Sequence, residues 1–277
     1  MDLNTITQVI RLAVPNDIRG WPAGHAWLGG GTWLFSEPQP GLDTLVDLEA
    51  FRWPSLTVLD SGLEIAATCR IIELDSYKPP AEWIAGPLLR ECCRSLLASF
   101  KVMDTATVGG NICMSLPAGA LIALTVALEA QYTLWPRDGE PRVVQAADFV
   151  LGDHQNILQP GELLRSTFIP TTALVKRYAF RRATLTHLGR SAAVLIGTQT
   201  PGSTDLRLTV TAATPRPVQL YFPATPDKAA LRTAIQEQVA DDAFFDDVNG
   251  TPAYKRHLTY LYAEQICEEL GAGGASA

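Results

Sequence analysis

Short apolar runs separated by turn residues dominate the first part of the chain and predict β-strands. We predict strands at residues 26–28, 44–48, 57–60, 65–68, 132–135 and 162–169. Between the first two, residues 33–37 have the pattern of a first helical turn, which Pro38 and Pro40 would stop. These segments indicate a small βαβ-like unit that closes near Pro54, followed by further short strands.

Two segments have a helical pattern. Residues 118–130 are apolar nearly all round, which is typical of a helix buried between a sheet and a neighbouring element. Residues 85–100 carry apolar side chains at three- and four-residue steps along one face. These side chains are Leu88, Leu89, Cys92, Leu96, Leu97 and Phe100. This predicted helix leads directly into a glycine-rich segment.

The C-terminal part of the chain has a different pattern. We predict strands at residues 178–182, 192–199 and 205–213, the third of which alternates strictly. Thr225-Pro226 and Thr251-Pro252 each combine an N-cap residue with proline at the first helical position. Gly271 is the expected end of the last helix, before a loose tail. Near Pro170 the strand pattern changes, and we place a domain boundary there.

Composition and charge favour a globular protein and argue against the nucleic-acid-binding, secreted and membrane-spanning classes. The 277 residues, 47% hydrophobic and 18% charged, suit two domains or one large, subdivided domain with a substantial core. A formal charge of −7 without a Lys/Arg cluster argues against nucleic-acid binding. The N-terminus lacks the pattern of a signal peptide, and the longest apolar run, 118–128, is too short to span a bilayer. We therefore predict a soluble, cytoplasmic protein.

The five cysteines have no regular spacing, which indicates neither a disulfide framework nor a zinc or iron–sulfur site on this chain. Buried, reduced thiols are the favoured interpretation. The four histidines are scattered and do not have metal-ligand spacing.

Two glycine-rich stretches carry the candidate chemistry. His25-Ala-Trp-Leu-Gly-Gly-Gly-Thr32 and Thr105-Ala-Thr-Val-Gly-Gly-Asn111 each follow an apolar run and place a small polar residue beside consecutive glycines. Glycine permits positive φ and allows successive N–H groups to converge on an anion. Two such loops suit a pyrophosphate, and our hypothesis is a dinucleotide, FAD, between them. The alternative for each loop is a tight packing turn without a ligand.

The loops and the order of the later segments resemble the FAD-binding subunits of molybdenum hydroxylases, the family of the xanthine dehydrogenase flavin domain and the carbon monoxide dehydrogenase medium subunit. Residues 28–32 and 106–112 resemble the two flavin loops of that family. Residues 158–164 resemble the strand that precedes the C-terminal domain in that family. Characteristic segments of that domain are matched by residues 178–182, Thr214-Pro215 and 254–256. The likeness covers nearly the whole chain.

The resemblance implies an α+β fold: a two-subdomain α/β FAD-binding region of the PCMH type, then a C-terminal α+β domain with an antiparallel sheet and helices. The expected domains are 1–170, with subdomains of about 1–55 and 56–170, and 171–277. It implies FAD on this chain, bound by Leu28, Gly29, Gly30, Gly31, Thr32, Trp33, Leu97, Thr107, Gly109, Gly110, Asn111, Leu164 and Arg177.

The resemblance also implies roles. N–H groups of 29–32 and 107–111 would hold the pyrophosphate, and the hydroxyls of Thr32 and Thr107 would donate to phosphate oxygens. Leu97 would lie near the flavin or, the favoured alternative, in the core with Phe100. Arg177 stands where the family often has lysine beside the flavin, or is a plain surface arginine. The remaining alternatives to FAD binding are that Thr32 and Thr107 are helix caps and that Asn111 is a turn residue.

Three positions depart from the family pattern. Ala120 stands where many relatives have an aspartate that binds sugar hydroxyls, Met103 where arginine is common, and Leu185 where an acidic residue often occurs. Loss of a charged acceptor costs about 1.5–3 kcal/mol of binding free energy. The departures predict weaker FAD binding with both phosphate loops retained.

By this resemblance the protein is the flavin subunit of a molybdenum-dependent oxidoreductase. Its partners would be a large subunit with a molybdopterin-type molybdenum cofactor and a small subunit with [2Fe–2S] clusters, and an external acceptor would take the electrons. The chemistry requires no acid or base here, so we name no catalytic residue and no metal ligand on this chain. The alternatives are a flavin-depleted scaffold for the two partners and, less favoured, a free-standing flavin reductase or oxidase.

Overall fold

The computed structural model describes residues 5–12, 20–187 and 189–272. The first sheet has three parallel strands, β1 (Gln8–Arg11), β2 (His25–Leu28) and β3 (Thr44–Asp47), in the order β1-β3-β2. The central strand β3 is buried along its whole length. A parallel sheet places the ends of its strands at one edge, so the segment after β2 begins at the same edge at which β3 ends.

The helical turn predicted at 33–37, with Pro38 and Pro40 as its stop, forms as a turn and does not extend into a helix. The segment makes a single turn in which the Phe35 N–H donates to the Gly31 carbonyl at 2.9 Å. Pro38 and Pro40 follow at once and supply no N–H for a second turn. The link between β2 and β3 is therefore a loop.

The second sheet is antiparallel, with β10 at its centre. Its strands are β4 (Leu56–Leu59), β5 (Gly62–Ala66), β6 (Gln131–Trp135), β7 (Arg142–Gln145) and β10 (Leu163–Pro170). The order is β4-β5-β10-β6-β7. The short strands β8 (Val150–Gly152) and β9 (Gln155–Asn156) form a separate hairpin. The strands predicted at 57–60, 132–135 and 162–169 are confirmed within one residue at each end, and that predicted at 65–68 is confirmed but begins three residues earlier, at Gly62. Strands β7, β8 and β9 were not predicted.

An aromatic row joins the first two sheets. The rings of Trp21 and Trp27 lie 4.5 Å apart, Phe51 stacks on Trp53 at 4.9 Å, and Trp53 meets Trp135 edge-on at 5.5 Å. The Trp27 indole N–H donates to the carbonyl of Gly161 at 3.2 Å, just before β10. Gly161 has φ +74°, and a Cβ there would collide with the Trp21 ring. These contacts fix the orientation of the first sheet on the second.

Six helices belong to this part of the chain. They are α1 (Ile71–Ser76), α2 (Pro87–Arg94), α3 (Phe100–Thr105), α4 (Val108–Cys113), α5 (Ala120–Ala127) and α6 (Thr171–Leu174). Every residue of α5 is buried, which confirms the prediction for 118–130. This helix packs against α2 on one side and against the C-terminal sheet on the other.

The helix predicted over 85–100 is two helices. The first, α2, ends at Arg94, and α3 begins at Phe100 with the hydroxyl of Ser99 accepting from the Val102 N–H at 3.4 Å. Serine favours this N-cap position because its side chain satisfies an otherwise unpaired N–H. Leu97 and Phe100 are consequently 56% and 76% exposed, so their interpretation as core residues is wrong.

The third sheet forms the C-terminal part. Its antiparallel strands run in chain order: β11 (Arg177–Thr184), β12 (Ser191–Gln199), β13 (Leu206–Thr211) and β14 (Val218–Phe222). One face packs on α5 and the other on α8 (Pro252–Ala272), beside which lies α7 (Lys228–Gln238). The three predicted strands are confirmed, whereas β14 was not predicted.

The predicted ends of the last two helices are partly right. Thr251 caps α8, since its hydroxyl accepts from the Tyr254 N–H at 3.3 Å. For α7 the cap is Asp227, whose carboxylate accepts from the Ala230 N–H at 2.8 Å, and not Thr225. The last helix continues through Gly271 to Ala272, and the predicted tail at 273–277 lies outside the described residues.

Glu129 holds the C-terminal sheet to the end of α5. It follows that helix in the left-handed conformation, with φ 52°. One carboxylate oxygen is bound by Lys176, just before β11, and the other by Arg207 of β13 at 3.3 Å. The chain therefore packs as one body from the second sheet through α5 to the third sheet.

A buried lysine fixes the start of α8. Lys255 is 0% exposed, and its ammonium donates to Asp247 at 2.9 Å and to the carbonyl of Ala212 at 3.2 Å. The ring of Phe245 lies 5.2 Å from the same nitrogen. Burial opposes ionisation of Asp247, but hydrogen bonds from Lys255 and Asn249 outweigh it and lower the pKa of this carboxyl.

We expect Lys255→Ala to lower the free energy of unfolding by about 3–5 kcal/mol, because it leaves the carboxylate of Asp247 without its cation. Lys228→Ala should cost at most about 1 kcal/mol, because the Lys228 side chain is 67% exposed and its partner Glu264 keeps a second ion pair with Arg232. Urea denaturation measures both. Equal losses would show that the burial of Lys255 carries no special weight.

Glu162 fixes the turn before β10. Its buried carboxylate accepts two hydrogen bonds from Arg142 of β7, at 2.7 and 2.8 Å, and one from the Gln159 N–H at 3.0 Å. The hydrogen bonds from Arg142 lower the pKa of Glu162 below its ordinary value, although burial opposes this shift.

Because the folded pKa is lowered, the contribution of Glu162 to stability is present above its unfolded pKa, about 4.3, and is lost as pH falls through the folded value. We expect Glu162→Gln to cost about 1–3 kcal/mol near neutral pH. Urea denaturation from neutral pH down to about pH 3 should show wild type losing stability more steeply than the variant in the acid part of this range. Parallel pH profiles would contradict this account.

Candidate functional site

The two glycine loops lie against each other. The first loop follows β2 and the second lies between α3 and α4. A Cβ on Gly29 would come within 2.9 Å of the Thr107 hydroxyl, and a Cβ on Gly30 would collide with the carbonyl of Thr105. Only glycine permits this approach of the two backbones. The loops predicted from sequence are thus on the same side of the molecule and in contact.

A crevice of about 460 Å³ opens where the loops meet, a volume within the usual range of ligand pockets. Its walls combine loop backbone with charged side chains from β1, β3 and the segment after β5. The lining residues are Arg11, Leu28, Gly29, Gly30, Phe35, Asp47, Glu49, Thr68, Arg70, Asp104, Thr105 and Thr107.

The first loop retains unused backbone donors. Among the described residues, none accepts a hydrogen bond from the N–H groups of Gly30, Gly31 or Thr32. Gly31 is buried and has φ +68°, and a Cβ there would collide with the ring of Phe35. Buried N–H groups normally have a partner. These donors therefore fit a bound anion.

The second loop differs, because the protein itself already uses its N–H groups. The N–H groups of Val108 and Gly109 donate to the carbonyls of Cys69 and Ala67 at 2.8 and 2.9 Å. A Cβ on Gly109 would collide with Ala67. Gly109 is thus required for packing, and neither N–H group is available for a ligand.

The next two N–H groups of the second loop are also engaged. Gly110 donates to the hydroxyl oxygen of Thr107 at 3.1 Å, and Asn111 donates to the carbonyl of Thr107 at 3.0 Å. The expectation that the N–H groups of 108–111 hold a pyrophosphate is therefore corrected. Thr107 caps α4, but its hydroxyl proton remains able to donate into the crevice. The Asn111 amide oxygen accepts from the Leu121 N–H at 3.2 Å and so anchors the start of α5.

Of the predicted site residues, the structure brings Leu28, Gly29, Gly30 and Thr107 together in the crevice wall. Gly31 and Thr32 continue the first loop, and the half-buried Trp33 ring lies 5.7 Å from the His154 ring of the β8–β9 turn.

The remaining predicted residues lie outside the crevice wall. Leu97 is exposed between α2 and α3, and Leu164 is buried in β10. Arg177 donates to Gln199 at 2.7 Å and to the carbonyl of Leu270 at 3.2 Å, which places its guanidinium between the third sheet and the end of α8.

The three residues that depart from the family pattern lie away from the crevice. Ala120 is buried as the first residue of α5, Met103 is half-buried against the main core, and Leu185 is 56% exposed. None of them lines the crevice.

Sequence reasoning missed the charged part of the crevice. Arg11 is paired with Asp47 at 3.0 Å, and Arg70 with Glu49 at 3.2 Å. Asp104 adds a third carboxylate to the wall. The only signal for Arg70 was its position just after a predicted strand, since no motif includes it.

The cysteine thiols are free, and four of the five are buried, in agreement with the sequence interpretation. Burial raises the pKa of Cys93 and Cys113 to about 12 and that of Cys267 to about 11, so these thiols stay protonated near neutral pH. In the ranges 5–12, 20–187 and 189–272, no three His, Cys, Asp or Glu side chains are grouped to hold a metal ion. Nor has any helix in these ranges the length and apolarity that crossing a membrane requires.

Residues 23–172, more than half of the chain, match the family described as the FAD binding domain in molybdopterin dehydrogenase. The chain belongs to this family, and FAD is the cofactor of its domain. The resemblance and the α+β fold class inferred from the sequence are thereby confirmed.

The chain is 27% identical over 168 residues to the carbon monoxide dehydrogenase medium chain of Hydrogenophaga pseudoflava, covering 60% of this chain and 56% of that one. It is 30% identical over 125 residues to xanthine dehydrogenase 1 of Arabidopsis thaliana, covering 43% and 9%. The fold is similar to that of quinoline 2-oxidoreductase from Pseudomonas putida 86, with a TM-score of 0.78 over 99% of both chains at 18% identity. The chain thus spans little more than half of the first relative and about a tenth of the second.

We expect Gly30→Ala to destabilise the chain by about 1–3 kcal/mol, because its methyl group would collide with the Thr105 carbonyl and separate the loops. Gly41→Ala is the matched control, since a Cβ there has open space around it. Thermal or urea denaturation measures both. Two variants of equal stability would contradict the close contact between the loops.

Proposed function

We propose that this chain is the flavin subunit of a molybdenum hydroxylase and that the crevice between the two glycine loops binds the pyrophosphate of FAD. One observation carries the proposal: among the described residues none accepts from the N–H groups of Gly30, Gly31 or Thr32, and Gly30 and Thr107 line the same crevice. This arrangement supplies donors to an anion and matches the cofactor of the family to which the chain belongs.

Different residues would perform different tasks. The N–H groups of Gly30, Gly31 and Thr32 and the Thr107 hydroxyl would donate to the phosphate oxygens. Gly29 permits the loops to touch, while Gly109, Gly110 and Asn111 hold the second loop in shape. These latter residues would support FAD binding by positioning Thr107 and not by direct donation.

The flavin ring would lie beyond the crevice. Leu97 is exposed on the segment that leads into the second loop, so it can offer an apolar surface to a ring system. Leu28 and Trp33 flank the first loop, and Leu164 is buried in β10 as part of the main core. Arg177 would approach FAD only if it left Gln199 and Leu270.

Bound FAD supplies one- and two-electron chemistry, here proposed to link [2Fe–2S] clusters of a small partner subunit to an external acceptor. A large partner subunit would hold the molybdenum cofactor. The described residues of this chain would bind and orient the flavin, and no side-chain acid or base is required. A cytoplasmic location stays a prediction.

We propose the domain division 1–170 and 171–277, with subdomains of about 1–55 and 56–170. In support, β10 ends at Pro170 and the third sheet begins at Arg177. The first sheet ends with β3 at Asp47, and the second begins at Leu56.

A flavin-depleted scaffold is the second candidate, favoured by two observations. The crevice wall holds three carboxylates against two guanidinium groups, which opposes an anionic ligand. The sugar-binding aspartate of many relatives is replaced by Ala120. If so, the chain would only hold its two partners together.

We expect the purified chain to bind FAD and Thr107→Val to weaken that binding about tenfold or more, because the variant loses a donor to a charged acceptor. Thr107→Ser keeps the hydroxyl and should stay near the wild-type affinity. Titration followed by flavin fluorescence measures the affinity. Urea denaturation monitors the cost of removing the α4 cap.

The outcomes separate the two candidates. Visible flavin absorbance near one FAD per chain in the native complex excludes the scaffold. A chain that shows no flavin absorbance after incubation with FAD and removal of the unbound FAD excludes the flavin subunit.

A further inference from the structure

The guanidinium of Arg70 lines the crevice directly beside Thr107. The two residues form an isolated antiparallel bridge, Arg70 following β5 and Thr107 preceding α4. The side chain is half-exposed and, among the described residues, forms an ion pair with Glu49 alone, at 3.2 Å. A cation therefore lies within the site at which Thr107 offers its hydroxyl.

The two cations of the crevice are held very differently. Arg11 binds Asp47, whose carboxylate is 11% exposed and also accepts from the Glu49 N–H at 3.0 Å. Removing Arg11 would leave a buried carboxylate without its cation, which is costly. Glu49, the partner of Arg70, is 79% exposed, and an ion pair so accessible to water contributes little. Arg70 can thus exchange its partner at low cost.

A pyrophosphate in the crevice needs such an exchange. Glu49, Asp47 and Asp104 line the same wall, so with both arginines in their present pairs a dianion would face a net negative surface. A guanidinium that turns from Glu49 to the phosphates supplies a planar, multidentate donor and leaves Glu49 in water.

We propose that Arg70 is a ligand of the FAD pyrophosphate and that it pairs with Glu49 when no FAD is bound. Exchange of Glu49 for the pyrophosphate then sets the affinity of the crevice for FAD. This inference rests on the proposed function. It adds one side chain outside both glycine loops to the groups that would bind the phosphates.

Titration calorimetry of the purified chain tests the exchange, with FAD, ADP and riboflavin as ligands. We expect Arg70→Gln to weaken FAD and ADP about tenfold or more and to leave riboflavin, which has no phosphate, within twofold. Glu49→Gln should tighten FAD severalfold, because it removes the competing carboxylate. Arg256→Gln is the matched control, since Arg256 is 45% exposed and its partner Asp241 is 60% exposed, outside the crevice.

The outcomes distinguish a failure of the proposed function from a failure of the role proposed for Arg70. Wild type that binds neither FAD nor ADP overturns the proposed function and this inference with it. Wild type that binds both, with Arg70→Gln unchanged, overturns the inference alone. An equal loss of riboflavin in Arg70→Gln would assign Arg70 a structural role, and an unchanged Glu49→Gln would overturn the exchange. Urea denaturation of each variant shows whether the fold is kept.

Discussion

The candidate site depends on one steric constraint, the backbone contact between Gly29-Gly30 and the segment 105–107. A side chain at Gly29 or Gly30 would hold the loops apart, and the crevice would lose the wall that Thr107 provides. The constraint explains why the two loops differ in chemistry. Within the part of the chain that the structure describes, the N–H groups of Gly30, Gly31 and Thr32 have no acceptor, whereas the second loop is fixed by hydrogen bonds to the segment after β5 and by its own cap.

The rest of the fold holds the second loop rigidly. Asn111 connects it to α5, and α5 is enclosed by α2 and the third sheet. Glu129, at the end of that helix, binds cations from two parts of the C-terminal region. The loop is therefore supported from both the second and the third sheet, so changes in the C-terminal domain can reach the crevice through α5.

Two sequence patterns predicted their elements correctly: strict alternation predicted β13, and the uniformly apolar run predicted α5. They succeeded because burial on one or both faces determines the sequence pattern of such elements. Periodicity failed over 85–100, where Ser99 caps a new helix and leaves Leu97 and Phe100 exposed. The glycine loops were located correctly, since glycine marks a close approach of backbones. Which N–H groups were unengaged was not predictable, because the acceptors, such as Ala67, lie some forty residues away in the chain. Arg70 and Glu49 meet only in the folded chain and form no motif.

The aromatic row has a consequence for spectroscopy. Four of the six tryptophans, Trp21, Trp27, Trp53 and Trp135, lie along the join between the first two sheets. The guanidinium of Arg165 lies over the rings of both Trp53 and Trp135. Intrinsic emission of this chain is therefore weighted towards one seam. Tryptophan emission therefore reports on the packing of the first sheet against the second without an added label, and at a different wavelength from flavin emission.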